Sequence, residues 1–67
     1  MNKFKDRLKE LRLEKGLSIQ ALAKEINISN ATICRWENGI TDITGENLII
    51  LSKYFGVTSD YLLGLED

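Results

Sequence analysis

Apolar residues recur at helical spacing in five separate windows of this chain, and each window is opened by a capping residue or closed by a left-handed one. From Asn2 to Lys15, Phe4, Leu8 and Leu11 fall on one face with charges elsewhere, and Gly16 supplies a left-handed stop. Ser18 caps a second helix whose apolar face is Leu22, Ala23 and Ile26, and Asn27 follows in the left-handed conformation that Asn tolerates. Ser29 caps a third, with Ile33 and Trp36 turned inward. Thr44 opens a fourth that runs to Phe55, with Leu48, Leu51 and Phe55 inward and Gly56 ending it. Thr58 caps a short fifth through Leu63, where Tyr61 and Leu62 are expected to close the core. No stretch alternates with the strand period, and no internal repeat, low-complexity segment or linker interrupts the pattern. The fold class expected is all-α: residues 1–67 as one compact bundle of five short helices, with a helix-turn-helix at about residues 18–39.

With Ile33 and Trp36 inward, Asn30, Ala31, Cys34 and Arg35 are left on the outer side of the third helix. A buried back and a front of small polar groups with one Arg fit the shape and chemistry of a DNA major groove. The turn from Gly39 to Thr44 follows directly and carries a negative charge at Asp42. Its Ile40 and Ile43 are expected to tuck beneath the bundle, as loops over small cores do.

Composition narrows the class further. A chain of 67 residues makes one domain and buries only about 60% of its unfolded surface, so its core is small. With 43% hydrophobic and 28% charged residues and no Pro, it is globular rather than a disordered tail. One Cys forms no internal disulfide, and neither a signal peptide nor an apolar run of about 18 residues is present, which points to the reducing cytoplasm. Met1 is a natural start. The absence of His removes the commonest metal ligand and the usual general base. No Ser paired with a base, Gly-rich phosphate loop or acidic pair in a cleft is evident, so neither an enzyme, a metal nor a cofactor is expected. Cys34 on the outer helix is read as a small unreactive side chain rather than a redox switch, since only Arg35 nearby in sequence would lower its pKa.

The chain resembles the phage-repressor-like helix-turn-helix domains of the Xre and Cro type, through RLKELRLEKGLS, LAKEINIS, ICRWENG and NLIILSKYFGVTSDYLLG. The likeness runs from Phe4 to Gly64 without a gap, and its motifs are specific as a set although each is weak alone. It implies a five-helix, lambda-repressor-like domain that binds operator DNA and regulates transcription, usually as a homodimer on a palindromic site, with the helix at 29–38 in the major groove. Repression on the nucleoid is the expected outcome.

Residue by residue, the resemblance assigns base contacts to Asn30, Ala31, Cys34 and Arg35. The chemistry suits three of them: Asn bonds adenine N6 and N7, Ala touches a thymine methyl, and Arg reads guanine O6 and N7. Phosphate contacts fall to Ser18, Ile19, Ser29, Thr32, Asn38 and the Ile40 amide, most of them at helix ends where free N–H groups and the dipole favour an anion. In the family the place of Ile19 usually holds Gln, so only its backbone N–H remains for that task. The family also often pairs the positions of Arg12 and Glu37 in a largely buried salt bridge.

Several residues depart from the family pattern. The turn from Gly39 to Thr44 usually carries Lys or Arg and a Pro, whereas here it holds Ile40, Asp42 and Ile43. Asn27 stands where Gly is commonest. Leu13, Ile40 and Ile50 replace charged or polar residues, and Leu13 and Ile50 point away from their own apolar faces. Scattered surface Leu and Ile are ordinary. The sharper reading makes Leu13 and Ile50 one docking patch for a protein partner or a second copy, and it needs them to be spatial neighbours. In that case the chain is a protein-interaction module, antitoxin-like or anti-regulator, with weak or no DNA binding.

A net charge of -1 and a pI near 5.3 sit awkwardly with phosphate neutralisation. Distribution decides, because only charges within a Debye length of about 8 Å act strongly. Arg35, Lys24 and either Arg7 or Lys15 are expected near the groove-facing side, with Glu46, Asp60, Glu66 and Asp67 at the other end. That leaves about two to four neutralised phosphates per subunit and a shallow salt dependence.

Overall fold

A computed structural model describes residues 3–66. Met1, Asn2 and Asp67, and with them the expected start of the first helix and the last acidic residue, lie outside the described residues. Five helices follow one another: α1 (Phe4–Glu14), α2 (Ile19–Ile26), α3 (Asn30–Glu37), α4 (Gly45–Phe55) and α5 (Ser59–Leu62).

Local chemistry sets nearly every boundary. The hydroxyls of Ser18, Ser29, Thr44 and Thr58 accept from the backbone N–H groups of Ala21, Thr32, Asn47 and Tyr61, which gives four helices a side-chain N-cap. α1 has none, and Lys3 precedes it without a side-chain bond. At the other ends Asn27 sits at φ 56 and ψ 45, the left-handed C-terminal residue that turns α2 into α3.

The core is Phe4, Leu8, Leu11, Leu22, Ile26, Ile33, Trp36, Leu51 and Leu62, five of which are sealed completely. α1 packs against α3 and α5, α2 against α3 and α4, and α4 against α5, so α3 is held on its inner side by the first two helices. Phe4 meets Trp36 edge-on, with centroids 6.0 Å apart and planes at 73°. The ends of the described chain also meet. Lys3 N–H donates to the Leu63 carbonyl at 3.3 Å, and a Cβ on Gly64 would fall 2.8 Å from the Lys3 side chain.

Several expected burials are only partial. Ala23, Leu48, Phe55 and Tyr61 pack against the core but remain half-buried, because a domain this small cannot enclose them. Ile43 tucks against the core as expected, whereas Ile40 is 70% exposed. Ile50, expected to point outward, is half-buried against the core, and Ile49 is the exposed residue of that pair. The proposed patch of Leu13 and Ile50 therefore loses one member. Leu13 itself is exposed, beside Asp6, Lys9, Glu10 and Tyr61 in a charged groove.

Candidate nucleic-acid interface

The geometry of α3 follows from its sequence. Ile33 and Trp36 are 0% and 2% exposed and anchor one side of the helix in the core. Asn30, Ala31, Cys34 and Arg35 lie on the opposite side, all exposed. The Arg35 guanidinium has no hydrogen bond or ion pair among the described residues, so its planar fork is available to a ligand.

Both helices of the helix-turn-helix offer donors at their N-termini. The first two amides of α2, from Ile19 and Gln20, and of α3, from Asn30 and Ala31, have no acceptor within their own helices. Ile19 is half-buried with its side chain packed on the core, so its amide is what it can offer. The Ser29 and Thr32 hydroxyls lie 2.8 Å apart and share one hydrogen bond, which leaves one hydroxyl proton to donate outward.

At the C-terminal end of α3 the structure departs from expectation. Gly39, at φ 72, turns the chain, and the Gly39 and Ile40 amides donate back to the Trp36 and Arg35 carbonyls at 3.2 and 2.9 Å. This is a Schellman closure. The Ile40 amide therefore has no proton left for a phosphate, and that expected contact is lost. Asn38 is likewise turned back: its side-chain nitrogen donates to the Cys34 carbonyl at 2.8 Å and lies 3.4 Å from Cys34 Sγ. Its amide oxygen is the atom left outward.

Behind this face lies the Arg12 and Glu37 pair. Arg12 Nε and Nη2 donate to the two Glu37 carboxylate oxygens at 2.6 and 2.9 Å, and Nη1 donates to the Leu17 carbonyl at 2.7 Å. The two side chains are 9% and 6% exposed. The bonds to Glu37 hold the Arg12 pKa above its ordinary value against the opposing pull of burial. No buried side-chain nitrogen or oxygen among the described residues lacks a partner.

The cations are distributed differently from the expectation. Arg7 lies 4.2 Å from the Tyr61 ring centre and donates to the Glu66 carbonyl at 3.3 Å, which commits it to the α5 side. Lys15 sits 5.0 Å from the Tyr54 ring centre, beside α4. Of the expected groove-side cations, Lys24 lines a hollow with Ala23, Asn27, Ile28, Ser29 and Asn30, next to the α3 N-terminus. Lys5, which the sequence gave no reason to single out, lies along Gly39: its Cδ is 3.1 Å from where a Cβ would stand there.

Among the described residues no cluster of three or more His, Cys, Asp or Glu could hold a metal, and no helix is long and apolar enough to cross a membrane. A capped helix-turn-helix with a solvent-facing, charge-bearing second helix matches known proteins throughout. The helix-turn-helix family model covers residues 8–62. The chain belongs to the phage-repressor-like helix-turn-helix family. Among curated members it is 38% identical over 64 residues to the HTH-type transcriptional activator BcrR of Enterococcus faecalis, covering 96% of this chain and 31% of that protein. It is also 38% identical over 58 residues to Repressor protein C2 of Salmonella phage P22, covering 87% of this chain and 27% of the repressor. This helix-turn-helix chain thus spans less than a third of those two relatives. A crystal structure of the P22 c2 repressor protein in complex with a synthetic operator superposes with a TM-score of 0.87 at 33% identity, covering 98% of this chain and all of that one. The all-α, five-helix architecture is that of this repressor group.

Proposed function

We propose that this chain is the operator-binding part of a transcription regulator, a repressor that occupies a palindromic site as a homodimer with α3 in the major groove. The observation that carries this is the two-sidedness of α3. Ile33 and Trp36 fix it in the core, while Asn30, Ala31, Cys34 and Arg35 form an unobstructed front. The shared fold with an operator-bound repressor supports the same reading.

In this arrangement Asn30 pairs with adenine, Ala31 and Cys34 offer apolar contact to a thymine methyl, and Arg35 pairs with guanine through its free fork. The Ser18 and Ser29 hydroxyls, the Ile19 amide and Thr32 hold the sugar-phosphate ridges and set the register. A two-fold pair places its half-sites about 34 to 36 Å apart. The relatives named above are transcription regulators, not enzymes, and the place of action is the cytoplasm, on the nucleoid.

Selection of bound duplex from a random pool, followed by a gel shift of the winning sequence, tests the reading. A symmetric consensus bound by the native chain and lost in the Asn30→Ala, Arg35→Ala double variant supports it. Equal binding by the double variant, or no enrichment at all, overturns it in favour of a protein-interaction module.

A further inference from the structure

The turn after α3 poses a problem of charge. Residues 40–44, which follow α3 and its Gly39 turn, read Ile-Thr-Asp-Ile-Thr, with no cation and one carboxylate. Arg7 and Lys15 do not make up the deficit, being held at Tyr61 and Tyr54. We propose that Lys5, from α1 and outside the helix-turn-helix, supplies the phosphate contact that this turn lacks, reaching the DNA backbone across Gly39.

Four observations converge on this residue. Its stem crosses Gly39, with Cδ 3.1 Å and Nζ 3.8 Å from the position a Cβ would take, so a side chain at residue 39 would crowd it. Gly39 lies two residues past Glu37, the last residue of α3, so the Lys5 stem passes the C-terminal end of that helix. The neighbouring Phe4 is locked against Trp36, which fixes the root of the Lys5 side chain relative to α3. Lys5 is exposed and has no hydrogen bond or ion pair among the described residues, so its charge is not spent inside the domain. A duplex seated on Asn30 and Arg35 would carry a flanking phosphate ridge past the end of α3, and an ammonium acts strongly over roughly 8 Å at physiological salt.

This inference rests on the DNA-binding reading and is tested separately from it. The probes are the duplex selected from the random pool and a scrambled duplex of the same length, titrated by fluorescence anisotropy over about 50 to 200 mM KCl. Lys5→Gln is expected to weaken both duplexes about equally. It should also flatten the log-log salt slope by about 0.9 per bound subunit, a three- to fourfold smaller loss over that range. Lys5→Arg should restore the slope, and Lys53→Gln on α4, which packs against α2 and α5, should leave it unchanged. A native slope retained by Lys5→Gln overturns the inference while leaving the function intact. So does a lowered melting temperature of the free Lys5→Gln domain with an unaltered slope, because Lys5 then only complements the α3 dipole. Absence of any binding by the native chain overturns both.

Discussion

Arg12 and Glu37, twenty-five residues apart, form a two-pronged ion pair closed off from solvent, and the third arm of the guanidinium ties down the Leu17 carbonyl. The pair joins α1 to the last residue of α3, and the carbonyl bond joins α1 to the approach to α2. Arg12→Ala leaves a buried carboxylate and a carbonyl without their donor. It should cost about 3 to 5 kcal/mol and lower the melting temperature of the free domain steeply. Arg12→Met combined with Glu37→Leu should recover most of that loss. Circular dichroism melts without DNA decide the matter, and an unchanged midpoint for Arg12→Ala would refute the structural role.

Ser29 caps α3, and the proposed function also gives it a phosphate contact. Ser29→Ala should lower stability by about 1 kcal/mol. Ser29→Asp keeps the cap, so its urea midpoint should stay near the native value while its affinity for duplex falls by charge repulsion. Equal affinity for Ser29→Asp and the native chain would remove Ser29 from the interface.

Asn27 occupies the left-handed region at φ 56. Asn27→Gly should be neutral or slightly stabilising, whereas Asn27→Ala forces a Cβ into that conformation at about 1 to 2 kcal/mol. Comparing the two denaturation midpoints isolates the turn geometry from any side-chain contact.

The Tyr54 hydroxyl donates to Glu25 Oε1 at 3.2 Å. Partial burial and this carboxylate raise its pKa above the ordinary 10.0. Because the folded state favours the protonated phenol, the stability from this contact is intact below pH 10 and fades as pH climbs through the raised midpoint. Glu25→Gln should move the phenolate absorbance transition downward; a transition that stays put would assign the shift to burial alone.

Arg35→Ala should lose about 1 to 3 kcal/mol of discrimination at a single base pair and relax the selected consensus there. Lys5→Gln should relax none. Repeating the pool selection with each variant separates reading from holding.

What the residues disclosed in advance divides by range. The Ser and Thr caps, the Asn27 turn and the two-sidedness of α3 depend on neighbours within four positions, so the linear pattern carries them. α4 shows where the pattern fails: Leu48, Ile49, Ile50 and Leu51 are consecutive apolar residues, and a run without polar interruption does not say which side faces in. Ile50, on the outward side by helical spacing, packs half-buried against the core. Placing the cations requires knowing which ring each meets, and Tyr61 and Tyr54 are far along the chain from Arg7 and Lys15. The Lys5 path over Gly39 was equally hidden, since it exists only once α1 has packed on α3.

The edge-on rings of Phe4 and Trp36 and the shielded Arg12 and Glu37 pair together brace α3 from behind by two forces that dissolved ions barely reach. On the proposed DNA-binding function, ionic strength then weakens the grip on a polyanion without altering the posture of α3. Rising salt should empty sites in order of affinity while the preferred letters stay the same, so occupancy and selectivity are adjusted by separate parts of one small domain.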